Sequence, residues 1–116
     1  MSAKSPECYT TEPHASCLRV EMSTGRIYLL PLDQLAYVQM DTDGKEQLLH
    51  LSFATHEIMV RGNTLRRIET ALLRLELSFI TTLPAKYHML VAEGQPRIRE
   101  IVVTEIKPGA EPSQLN

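Results

Sequence analysis

The stretch of the chain best suited to chemistry is Arg61-Gly-Asn-Thr-Leu-Arg-Arg67. Free N–H groups at a helix N-terminus attract phosphate or carboxylate, and guanidinium groups add charge and paired donors. Arg61, Asn63, Arg66, Arg67 and, two turns further on, Arg74 are therefore the candidate residues for binding an anion or a partner. Neither G-x-x-x-x-G-K-[ST] nor G-x-G-x-x-G occurs, so nucleotide binding through those loops is excluded. The competing reading is structural: Gly62 permits a sharp strand-to-helix turn, and the arginines solvate the outer face of the helix.

Two other groups have the residue types of a site. His50 and His56 flank Leu51-Ser-Phe-Ala-Thr55, with Glu57 beside His56, and a His–carboxylate pair can tune an imidazole for proton transfer. No nucleophile with a context such as G-x-S-x-G accompanies them. The simpler expectation puts His50 on an outward strand face and His56 in a turn with Thr55. Cys8, His14 and Cys17 form C-x5-H-x2-C and could offer soft ligands to zinc, but a structural zinc takes four ligands and no fourth lies nearby. The expectation is a non-enzymatic chain with no catalytic residue, no metal and no cofactor.

The hydropathy pattern indicates which elements would carry these residues. Leu18, Val20 and Met22 alternate with Arg19, Glu21 and Ser23, as in a half-buried strand. Thr24-Gly25 turns the chain into Arg26–Leu30, and Pro31 stops that strand because it has no N–H for a ladder. Strands follow at 36–40, 47–53 and 57–61, the first two separated by the turn Asp41-Thr-Asp-Gly44. Leu65, Ile68, Leu72, Leu75 and Phe79 then recur every three or four residues, predicting one amphipathic helix over about 63–79, with Asn63 as N-cap. Lys86–Val91 and Ile98–Ile106 read as two further strands, linked by Glu93-Gly-Gln-Pro96. The apolar run Ile101-Val-Val103 suggests burial on both faces of the last strand.

Removing a polar N-terminal arm (1–16) and a Pro/Gly-containing tail (108–116), both expected to be disordered, leaves one domain of residues 17–107. That is enough for one modest core. The 116-residue chain has 12 basic and 14 acidic side chains, net −2, and no stretch close to the roughly 20 apolar residues of a membrane span. Residues 1–60 hold four basic and eight acidic groups, whereas 61–107 hold eight and five. Such a gradient can steer an acidic partner or a polyanion. With six aromatic residues (four Tyr, two Phe and no Trp), a ring-built carbohydrate or base-stacking surface is disfavoured. Two cysteines and no signal-peptide core at Met1–Ser16 point to the cytoplasm.

The run Phe53-Ala-Thr-His-Glu-Ile-Met-Val-Arg-Gly62, followed by Asn63-Thr-Leu, resembles a T-H-x-V-x-[IV]-x-G strand-to-helix motif of small bacterial β-rich proteins. Gly25–Leu35 is similar as well, and together the likeness covers about 60 residues. It implies a small β-rich domain of bacterial origin and carries no activity to transfer. Strands leading into one helix are also similar to bacterial pleckstrin-homology-like domains, from which two strands after the helix depart. LytTR-type DNA-binding domains run strands into a stretch like Leu65–Phe79, but their basic, asparagine-containing strand has no counterpart in Thr81–Val91.

The reading is an α+β fold: a strongly bent antiparallel sheet or partial barrel of about five strands, one helix, and a two-stranded C-terminal segment. Leu48, Met59, Leu73 and Leu77 fall off the inward stripes, and exposed apolar side chains mark interfaces. The functional expectation is therefore a protein-interaction or self-association module, with a protein partner or a homodimer. Nucleic-acid or anionic-ligand binding by the basic helix region is the alternative. No membrane is expected as a partner.

Overall fold

The structure, a computed structural model, describes residues 7–106; the first six residues and 107–116, which include the expected tail, lie outside the described residues. Among the described residues it is an α+β fold of eight strands in two sheets, with one main helix and no closed barrel. One sheet has the order β1-β7-β2-β3, from β1 (Tyr9–Thr11), β7 (Leu77–Thr81), β2 (Cys17–Glu21) and β3 (Ile27–Pro31). The other has the order β4-β5-β6-β8, from β4 (Leu35–Asp43), β5 (Glu46–Phe53), β6 (His56–Asn63) and β8 (Arg97–Glu105).

The alternation read from the sequence places the core. Leu18 and Val20 of the first sheet face Leu49, Leu51, Phe53, Ile58 and Val60 of the second, and all join one buried cluster. The β4–β5–β6 meander is antiparallel as expected, with Val38 opposite Leu51 and Leu51 opposite Ile58. What departs is the number of sheets. Pro31 ends β3, a single 3-10 turn at Leu32–Gln34 follows, and the chain enters the second sheet rather than extending the first. Buried Leu32 anchors that crossing.

The helix is shorter than its stripe. α1 runs Arg66–Leu73 and buries Ile68, Ala71 and Leu72 beside Leu65. It stops because Leu75 takes a left-handed φ of 56°. The Leu75 N–H then donates to the Leu72 carbonyl, and the Glu76 N–H to that of Ala71 (2.8 Å), the pairing of a Schellman C-cap. Leu77 and Ile80, counted into or beside the helical pattern, are instead fully buried in β7. That strand lies between β1 (antiparallel) and β2 (parallel).

Three more elements correct the sequence reading. Tyr9–Thr11, inside the supposed arm, forms β1 by pairing with β7. The expected strand Lys86–Val91 is a short helix, α2 (Ala85–His88), and a turn, tied down where Arg97 Nε donates to the His88 carbonyl at 3.1 Å. The second strand of that segment does exist as β8, which joins β6. Its Val102 is 44% exposed, so β8 is buried on one face only.

Candidate functional site

Helix α1 and its flanks collect most of the candidate residues. The turn into α1 is made at Thr64, which takes a left-handed φ of 57°, just after Gly62, where β6 and β8 shift register. A Cβ on Gly62 would lie 1.9 Å from the Arg97 carbonyl oxygen, so only glycine lets β8 approach this closely. Asn63 is not the N-cap. It belongs to β6, and its Nδ2 donates to the Lys45 carbonyl at 2.7 Å. The free Leu65 N–H is instead taken by Gln47 Oε1 of β5, also at 2.7 Å. Two contacts from the β4–β5 hairpin thus fix the start of α1.

From that anchored start, Arg66, Arg67, Thr70 and Arg74 project on the exposed side of α1. An open hollow of about 410 Å³ between β1 and α1 is lined by Tyr9, Thr11, Arg66, Arg67, Arg74 and Glu76, among others. On the other flank, Val38 of β4 with Arg66, Glu69, Leu72 and Leu73 of α1 lines a second hollow of about 530 Å³. Arg66 and Thr70 border both. Among the described residues no carboxylate lies within 4.0 Å of Arg66, Arg67 or Arg74. Leu73, 83% exposed, stands beside them.

Arg61 does not join this group. It lies on the outer face of the second sheet, 3.5 Å from Glu100, 3.6 Å from Asp43 and 3.7 Å from Glu46. Arg99 Nη2 donates to Glu46 Oε1 at 2.9 Å, and that hydrogen bond holds the Glu46 carboxyl below its ordinary range. Five charges satisfy one another there, and an exposed network of this kind adds little to stability. The structure thus assembles three of the five expected residues and assigns Arg61 and Asn63 to local structure.

The other chemical groups separate. His50 and Glu57 do meet, at 3.5 Å, on the outer face of the second sheet, beside the Tyr37 ring and a hollow of only about 110 Å³. His56 points to the opposite face, edge-on to Tyr28 with ring centroids 5.5 Å apart, and its Nδ1 bonds to Thr55 Oγ1. It starts β6 rather than lying in a turn. The period-2 geometry of a strand makes the separation unavoidable, since adjacent residues 56 and 57 face opposite ways. Cys8 is fully buried, donating from Sγ to the Pro96 carbonyl, and burial pushes its thiol up to about 11. Cys17 is exposed on β2. Among the described residues no three His, Cys, Asp or Glu converge as metal ligands would.

Sequence reasoning missed Tyr9, Thr11, Val38 and Glu76 as walls of the hollows. A three-residue strand such as β1 has no periodicity of its own to detect. Thr70 was visible on the outer helical face through its spacing from Arg66 and Arg74. Of the four apolar residues expected off the inward stripes, Leu73 and Met59 are exposed, Leu48 is half-buried and Leu77 is buried. No helix among the described residues is long and apolar enough to cross a membrane. No family model, curated protein or solved structure matches the chain.

Proposed function

We propose that this chain is a non-enzymatic protein-interaction module, and that α1 with its two flanking hollows docks an acidic segment of another protein. The observation that carries the reading is the grouping of Arg66, Arg67 and Arg74, none ion-paired among the described residues, beside the exposed Leu73. Arginines and an apolar side chain on one surface fit a peptide that offers carboxylates and an aliphatic anchor. Glu69 and Glu76 at the margins disfavour a continuous phosphate backbone. The His50–Glu57 pair supports no catalytic reading, because its hollow holds little more than a few waters.

A second reading, an anionic ligand or nucleic acid held by the same arginines, is favoured by the openness of the hollow between β1 and α1. A fluorescein-labelled acidic peptide and a single-stranded DNA of equal charge separate the two at about 20 mM salt. The peptide is expected to bind, to weaken at least about tenfold with R66A/R67A/R74A, and to be unaffected by R61A. Tighter binding of the DNA would transfer the site to the second reading. Binding of neither probe would remove both.

A further inference from the structure

Each sheet leaves two edge strands, and the four differ in how they are protected. Edges are normally guarded by charge, shortness or irregular register, because unpaired N–H and C=O groups accept any extended chain. β1 has three residues and a register shift. β4 carries exposed Gln39, Asp41 and Asp43, and α1 flanks it. β8 carries exposed Arg99, Glu100 and Glu105 and a shift of its own. β3 reads Ile27-Tyr-Leu-Leu-Pro31, with no charge and regular pairing to β2.

The hydrogen-bond pattern shows what β3 offers. Met22 N–H donates to Arg26 C=O at one end of the β2–β3 ladder, and Leu32 N–H to Ser16 C=O at the other. Bonded pairs alternate along an antiparallel ladder, so Val20/Tyr28 and Leu18/Leu30 exchange bonds between these ends. Ile27 and Leu29 therefore turn both N–H and C=O away from β2, and among the described residues nothing meets them. Their side chains are also 47% and 62% exposed.

We propose that β3 pairs antiparallel with β3 of a second copy of this chain, joining two four-stranded sheets into one of eight. The two-fold axis passes at Tyr28, so Ile27 of each copy exchanges two hydrogen bonds with Leu29 of the other. Four ladder bonds form, and the exposed Ile27 and Leu29 side chains of both copies meet on one face. In this register Arg26 lies opposite Leu30, so no like charges oppose each other within the paired strands. The contact covers less than the roughly 1,200 Å² of a stable complex, so the dimer is weak, with a dissociation constant on the order of 100 μM. This assembly is independent of the docking role of α1.

Sedimentation equilibrium of the full chain in reductant, from about 20 μM to 1 mM, tests it around that expected constant. The mass is expected to rise from 13.1 kDa toward twice that value. Leu29→Pro removes an outward N–H together with the exposed leucyl side chain, spares the bonds to β2, and is expected to weaken association at least about tenfold. Ile27→Lys adds a guarding charge at an exposed position and decides the matter if Leu29→Pro fails to fold. R66A/R67A/R74A is expected to associate like wild type. A constant 13.1 kDa, undiminished association in Ile27→Lys, or association lost with the α1 arginines would each overturn the proposal.

Discussion

Gly62→Ala is the sharpest perturbation the fold allows. The added Cβ would meet three backbone atoms of β8: the Arg97 carbonyl oxygen at 1.9 Å, its carbon at 2.9 Å and Ile98 Cα at 3.0 Å. No rotamer change relieves contact with backbone. Opening the first contact to even 3.0 Å requires about 1.1 Å of separation between β6 and β8, by difference from 1.9 Å. A displacement of that size breaks the ladder bonds flanking residue 62, each contributing about 0.5–1.5 kcal/mol net. Overpacking adds about 1–3 kcal/mol. Two bonds and the packing strain together come to about 2–6 kcal/mol, against a total stability of about 5–15 kcal/mol for a domain of this size. At about 4–8 °C per kcal/mol, the melting temperature should fall by at least about 8 °C. Urea unfolding followed by circular dichroism measures this, with Gly44→Ala as control. The control position is open, so it carries only the left-handed strain of about 1–2 kcal/mol at φ 66°. A Gly62→Ala loss below about 1 kcal/mol would refute the reasoning, since the strands could not then be packed this closely.

Other expectations follow from single residues. Thr64 is β-branched, exposed and held at φ 57°, so Thr64→Gly should stabilise by about 0.5–1 kcal/mol in thermal or urea unfolding, the left-handed strain relieved less the entropy of glycine. An aromatic disulfide reagent should modify Cys17 at once and Cys8 only after unfolding. Because the Cys8 thiol is raised from 9.0 to about 11, its contribution to stability is complete below pH 9 and is lost as pH rises toward 11; Cys8→Ala should flatten that decline in denaturation curves. Glu46 has the opposite sign. Its hydrogen bond from Arg99 lowers its pKa, so its contribution is present above pH 4.5 and disappears as pH falls below it. Glu46→Gln should therefore make unfolding less steeply dependent on acid.

What could be read without coordinates follows from how local each signal is. Strands β2, β3, β5 and β6 announce themselves because each buries one face against a common core, and alternation is that burial written in sequence. Helix α1 was legible at its centre but at neither end: it starts at Arg66, three residues after the expected cap Asn63, which is the last residue of β6. Leu75 and Phe79 continue the 3-4 spacing by coincidence, while the helix stops at a left-handed leucine where glycine is the usual residue. β1 is invisible because its three residues owe their conformation to β7, some 68 residues away between Thr10 and Ser78. The arginines of the candidate site were readable from their spacing, but the walls that turn them into a hollow were not, since those walls are long-range partners.

The same contrast explains why Arg61 and Arg66 have different fates despite being five residues apart. Arg61 precedes Gly62 on a strand whose neighbours, β5 and β8, bring Glu46 and Glu100 to the same face. Pairing in a sheet gives each outward residue two cross-strand neighbours, so a charge there readily finds its opposite. Arg66 follows the turn on a helix bordered by two hollows, and among the described residues no carboxylate comes within 4.0 Å of it. The basic segment is thus split into two parts, one arginine ion-paired within the sheet and three with no ion pair among the described residues. Moving the turn by one residue would reverse the facing of the strand end and redistribute those charges. The different fates follow from a short piece of backbone: Gly62 lets β8 approach β6, and Thr64, at φ 57°, then turns the chain out of the sheet and into α1.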